Sequence, residues 1–175
     1  GIMWGKSQHL ESKPPFNFGG DMIREVHENF TQFSDLPHKF EAGTPHISGA
    51  IGLGAAVDYL AGLDMEKVRA HEKEMTSYAL EVLSSIKGLT VIGSANPDMR
   101  GGVISFLLKG IHPHDIAQVL DEDNVCIRVG FHCAQPLHEY LKIGPTARAS
   151  FYVYTTKSDI DALVKGLGKT ITLFS

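Results

Sequence analysis

The reading of this chain turns on Val125-Cys126-Ile127-Arg128-Val129-Gly130-Phe131-His132-Cys133-Ala134-Gln135-Pro136-Leu137. Its first five residues read as a strand, Val125 to Val129. Gly130 then permits a sharp backbone turn, His132 and Cys133 stand together, and Pro136 stiffens the exit. A loop that follows a strand is a common seat for chemistry. A thiol reacts as its thiolate, which neighbouring cations favour, and Arg128 and His132 are the candidate neighbours of Cys133. The competing reading of Cys133 is a buried, small apolar residue. For Cys126, flanked by Val125 and Ile127, the core reading is the stronger one.

Upstream, a helix is expected from Met65 to Ser85, because Val68, Met75, Ala79, Val82, Leu83 and Ile86 recur at spacings of three and four. Strands are expected at Leu89 to Ile92 and Gly102 to Leu108, then a helix from Pro113 to Leu120, with proline at its first position. His112 and His114 around that proline read as a helix entry rather than a metal site, since no ligand set stands at recognisable spacing. Downstream, Arg148 to Tyr154 alternates as a strand. A last helix follows Ser158, whose spacing to Asp161 is that of a capping box. Helices interspersed with short strands predict an α/β fold, an α+β sandwich with helices on one sheet face, over residues 63–175.

Residues 1 to about 45 show no clear period, and Ile2-Met3-Trp4 reads as a strand already under way. The helix expected from Ser48 to Ala61 is apolar nearly all round, the pattern of a helix buried on most sides. Few elements here could cover it, and a buried helix without its cover exposes a large apolar patch, so residues 1–62 are expected to be partly disordered or rearranged. These signs predict that residues 1–62 are the tail of a larger neighbouring domain and that the chain is a piece of a longer one.

The chain has 175 residues, 43% hydrophobic and 21% charged, with a formal net charge of −4. That composition fits a globular protein and gives no electrostatic footprint for nucleic acid or an anionic membrane. No apolar run reaches the roughly 18–20 residues of a membrane span. Two cysteines make no secreted disulfide framework, which favours a reducing, cytoplasmic setting.

Four blocks, in order, carry a resemblance. Arg128-x-Gly130-x-His132-Cys133-Ala134-x-Pro136-Leu137 resembles the active-cysteine signature of the Suf-type (group II) cysteine desulfurases, within the class V aminotransferases. Arg148-Ala149-Ser150 with Tyr154-Thr155-Thr156 resembles their substrate-binding arginine strand. Phe40-Glu41-Ala42-Gly43-Thr44-Pro45 resembles their phosphate-side loop. Gly19-Gly20-Asp21-Met22-Ile23 resembles the glycine pair that lies near a partner subunit's cofactor. The likeness covers essentially the whole chain.

The resemblance implies the small C-terminal domain of a fold type I transferase dependent on pyridoxal 5'-phosphate, with the end of its large domain. It implies a homodimer that converts cysteine to alanine and forms a persulfide on Cys133, for an external sulfur acceptor of Suf type and iron–sulfur cluster assembly. Arg148 would grip the substrate carboxylate, although from the residues alone it reads as an edge-strand ion-pair partner. Arg128 would guide the substrate sulfur and the cysteine loop, His132 would either tune Cys133 or simply pack, and Thr44 would donate to the cofactor phosphate of the opposite subunit. The lysine that holds the cofactor is expected in a block upstream of residue 1, so the fragment alone is expected to be inactive. Selenocysteine lyase or cysteine-sulfinate desulfinase activity, or a non-catalytic docking module for a sulfur acceptor, are the alternatives. A cysteine hydrolase is disfavoured, because adjacent residues such as His132 and Cys133 point apart on an extended loop.

Overall fold

The computed structural model describes residues 1–175, which divide into two compact units, Gly1–Gly62 and Leu63–Ser175. The first contains helix α1 (Ser7–Glu11), an antiparallel hairpin of β1 (Ile23–Val26) and β2 (Thr31–Phe33), and most of helix α2 (Ile47–Leu63). The second contains α3 (Met65–Ser84), β3 (Leu89–Ile92), β4 (Val103–Leu108), α4 (Pro113–Asp121), β5 (Arg128–Gly130), α5 (Gln135–Leu141), β6 (Thr146–Ser150) and α6 (Lys157–Leu173).

In the first unit Met22 is fully buried. The Phe16 and Phe40 rings stack, with centroids 6.2 Å apart. The Gly43 amide donates to the Gly20 carbonyl at 2.8 Å, so the glycine pair and the Thr44 loop lie side by side. A Cβ on Gly19 would stand 3.3 Å from the Gly43 nitrogen, so a side chain there would crowd this approach. The expected strand at Ile2–Trp4 does not form: no strand lies beside it to complete a ladder, and Ile2 and Trp4 are exposed. The stretch expected to be irregular holds α1 and the hairpin. The reading of this helix as buried on most sides is corrected: no residue of α2 is buried, and Ile47, Ile51, Val57 and Tyr59 are exposed, because no element packs over it.

The second unit is a four-stranded sheet in the order β3-β4-β6-β5, with every neighbouring pair antiparallel. Alternation along the strands gives its two faces different jobs. Ile104, Phe106 and Leu108 of β4, with Ala147 and Ala149 of β6, are buried in one cluster with Met75, Ala79 and Leu83 of α3, Ile116 and Leu120 of α4, and Ile160, Leu163 and Leu167 of α6. The opposite face carries Ser105, Arg148 and Arg128, which the ladders place directly across from one another.

The helices at Met65, Pro113 and Lys157 and the strands at Leu89 and Val103 follow the sequence pattern closely. His112 caps α4, its Nδ1 accepting from the His114 amide at 3.3 Å. Two expectations are corrected. First, β5 and β6 begin and end elsewhere, at Arg128–Gly130 and Thr146–Ser150, because Gly130 pairs with Thr146 and the chain leaves the ladder after Ser150. Second, α6 starts at Lys157, and its start is closed by Thr156 and Asp159: the Thr156 amide donates to the Asp159 carboxylate at 2.8 Å. Asp161 instead accepts from the Tyr78 hydroxyl. Beyond these, α5 begins two residues after Cys133, with Pro136 in its first turn, a helix the sequence reading did not place because it is too short for its period to be read.

If the helix-covered face is the core, Phe106→Ala costs about 3–5 kcal/mol through the cavity it leaves. Val103→Ala, on the opposite face of the same strand, costs less than about 1 kcal/mol. Denaturant unfolding of the two variants checks the contrast.

Candidate functional site

Antiparallel pairing of β5 with β6 sets Arg128 opposite Arg148, Val129 opposite Ala147 and Gly130 opposite Thr146. Two arginines therefore stand opposite each other across the strands on the sheet face away from α3, α4 and α6, and like charges in that relation repel. Neither forms an ion pair within the chain. Arg128 is exposed, whereas Arg148 is half-buried and its Nε is buried without an acceptor. The edge-strand ion pair expected from the residues alone is thus corrected: β6 lies inside the sheet, between β4 and β5, and Arg148 is unpaired.

After β5 the chain turns sharply. Gly130 has φ 115°, and His132 and Cys133 follow with φ 53° and 60°. Left-handed backbone in residues bearing a Cβ costs of order 1–3 kcal/mol each and persists only where the surroundings hold it. The Ala134 amide donates to the Phe131 carbonyl at 2.8 Å, which closes the turn. The His132 ring reaches back to β6, where its Nε2 lies 2.9 Å from the Thr146 hydroxyl and 3.1 Å from the Thr146 carbonyl.

The turn exposes Cys133 and sets its Sγ 3.7 Å from Arg128 Nη2, which donates to it. His132 and Cys133 thus diverge, one side chain clasped to β6 and the other held toward Arg128. A histidine base acting on its neighbouring thiol does not fit this geometry. Burial, together with the Arg148 guanidinium, holds the His132 ring below the ordinary histidine range, and Arg128 and His138 add to this against the hydrogen bond to Thr146. The ring is therefore neutral at neutral pH.

Cys133, Arg128, Arg148 and His132 thus gather at one end of the sheet. Thr44 belongs to the other unit, where it follows Gly43 at φ 77° with its side chain exposed. Cys126 is not a core residue but an exposed thiol, 4.0 Å from Asp121 Oδ1. The stretch Val125–Ile127 precedes the ladder, and its alternation turns Val125 and Ile127 toward the core and Cys126 away. Sequence reading missed Thr146 and His138, both buried beneath the loop. No spacing signals them, because the β5–β6 register and the short α5 bring them there.

Residues 1–163 match the family described as Aminotransferase class-V. A probable cysteine desulfurase of Halalkalibacterium halodurans is 50% identical over 174 residues, which are 99% of this chain and 42% of that relative. One of Streptomyces coelicolor is 49% identical over 167 residues, which are 95% of this chain and 40% of the relative. Among solved structures, the cysteine desulfurase CsdA from Escherichia coli superposes with a TM-score of 0.90 at 34% identity, covering 98% of this chain and 42% of that one. The chain thus spans about two-fifths of the length of the proteins it resembles.

His132 supplies a pH test. Its folded-state pKa lies below the unfolded value, so the unfolded chain takes up the proton first as pH falls. The stability tied to the neutral ring is whole above the ordinary histidine value and is lost below it. The stability advantage of the wild type over His132→Gln is therefore expected to shrink between about pH 7.5 and about pH 5, as read by denaturant melts of both proteins.

Proposed function

The chain belongs to the aminotransferase class-V family, and from that premise we propose that its residues serve a cysteine desulfurase of Suf type. Residues 63–175 would be its small C-terminal domain, and residues 1–62 the end of its large one. The observation that carries this reading is the exposed Cys133 sulfur beside Arg128, whose cross-strand neighbour Arg148 is an unpaired guanidinium with a buried, unaccepted N–H. A nucleophile next to an unmet demand for an anion suits an amino acid bearing both a carboxylate and a sulfur.

Arg148 would bind the substrate carboxylate. A guanidinium grips a carboxylate with two parallel hydrogen bonds and so fixes its orientation, and the bound anion would relieve the repulsion between Arg148 and Arg128. Cys133 would attack the substrate sulfur as thiolate. A sulfur–sulfur bond forms and the substrate's carbon–sulfur bond breaks, its electron pair going to carbon, which takes a proton. The products are alanine and a Cys133 persulfide. Arg128 would guide the sulfur and complement its negative charge, while neutral His132 would hold the loop. Thr44, in the first unit, has an exposed hydroxyl that would donate to the pyridoxal phosphate of an opposite subunit, and Arg148, in the second, has a free donor for the substrate carboxylate. When bound, that cofactor withdraws electrons from the amino acid's carbon skeleton.

The exposed apolar surface of α2 suits a covered position in a longer, homodimeric protein. A persulfide on an exposed loop suits delivery to an external acceptor protein for iron–sulfur cluster assembly in the cytoplasm. Selenocysteine or cysteine sulfinate would engage the same carboxylate grip.

The test is alanine and sulfide production from cysteine by a polypeptide of the relatives' full length that contains these residues. Cys133→Ala is expected to abolish sulfide production. Arg148→Lys is expected to lower kcat/KM by about 10–100-fold, the loss of one charged bidentate contact. Full activity in Cys133→Ala would reject the proposal.

A further inference from the structure

Beneath the cysteine loop lies a set of side chains that the sulfur chemistry leaves unused. Thr146, opposite Gly130 on β6, is 1% exposed, and both its hydroxyl and its carbonyl meet His132 Nε2. A carbonyl only accepts, so the hydrogen of the neutral His132 ring sits on Nε2. The same hydroxyl lies 3.4 Å from Nε2 of the buried His138, whose Nδ1 lies 3.0 Å from the Ala134 carbonyl. His138 therefore donates from Nδ1 and accepts at Nε2.

The donors run in one direction, from His132 to Thr146, from Thr146 to His138, and from His138 to Ala134. His132 precedes Cys133 and Ala134 follows it, so both neighbours of the thiol are tied through one buried hydroxyl. Nδ1 of His132 is left buried without a partner. The other tautomer would put a bare nitrogen against the Thr146 carbonyl, and a ring flip would put a carbon there, so the relay admits one tautomer and one ring orientation.

We propose that Thr146 is a positioning residue for Cys133, acting with His138 to fix the tautomer and orientation of His132 and, through it, the left-handed pair that presents the sulfur to Arg128. The inference rests on Cys133 as the reactive thiol. Valine at position 146 would keep the shape and the backbone pairing but remove the hydroxyl from both histidines. Serine would retain it. His138→Asn keeps a donor for the Ala134 carbonyl but loses the acceptor for Thr146, and so interrupts the relay from its other end.

The experiment is done on the chain with Cys126→Ser, so that one thiol reports, and uses two readouts that do not involve desulfuration. Nitrogen-15 NMR of the histidine rings gives the His132 tautomer, and iodoacetamide gives the alkylation rate of Cys133. The parent chain and Thr146→Ser are expected to show the single Nε2–H tautomer and the same rate. Thr146→Val is expected to show mixed tautomers and alkylation slowed about fivefold, the shift for one lost buried hydrogen bond. His138→Asn is expected to change both in the same direction, and it decides the matter if the valine variant does not fold. An unchanged tautomer and rate in His138→Asn and in a folded Thr146→Val would overturn the proposal, as would a slowed Thr146→Ser. Absence of desulfurase activity would leave these readouts intact, so the two failures are distinguishable.

Discussion

The register of β5 against β6 is the constraint on which the rest depends. Side chains alternate across a strand, so a slip of one residue would exchange every inward and outward position. In the observed register Ala147 and Ala149 enter the helix-covered core, while Arg148 stands on the other face opposite Arg128. The same pairing sets Gly130 against Thr146, which starts the turn where His132 can reach Thr146. Core packing thus fixes the register, and the register assembles the site. The buried cluster of Ile104, Phe106, Ile116, Leu120 and Leu167 holds the pairing in place at a distance from the chemistry.

Several features of the site are unfavourable taken singly. Two arginines stand opposite each other across the ladder without a carboxylate, two residues with side chains adopt left-handed backbone, and two polar nitrogens are buried without partners. Such departures from local preference gather where function has been built into a fold. Two of them have a use under the proposed chemistry: the arginines await an anion, and the left-handed pair turns the sulfur outward toward one of them. The second unit can hold these tensions because its sheet is closed on one face by α3, α4 and α6.

How much of this was legible in the sequence differs by element. The 3.6-residue period of α3 and α6, the proline that opens α4 and the apolar runs of β3 and β4 are local signals, and they place those elements within a residue or two. The β5 and β6 boundaries are set by pairing between strands, which neither strand carries alone. Cys126 reads as core because its neighbours are apolar, yet it turns outward before the ladder begins. Asp161 has capping-box spacing from Ser158, but Asp159 is the residue that meets the Thr156 amide. The Arg128 to Cys133 cluster was visible through its likeness to a family motif. Thr146 and His138 were not, since only three-dimensional pairing brings them under the loop.

The central claim is that Cys133 takes sulfur from an amino acid. The most direct measurement is the mass of its peptide after a polypeptide of the relatives' full length, containing residues 1–175, has been incubated with cysteine and pyridoxal phosphate. The account predicts a Cys133 peptide heavier by one sulfur atom, returned to its starting mass by a thiol reductant, with the Cys126 peptide unchanged. An unmodified Cys133, or added sulfur on Cys126 instead, would contradict it.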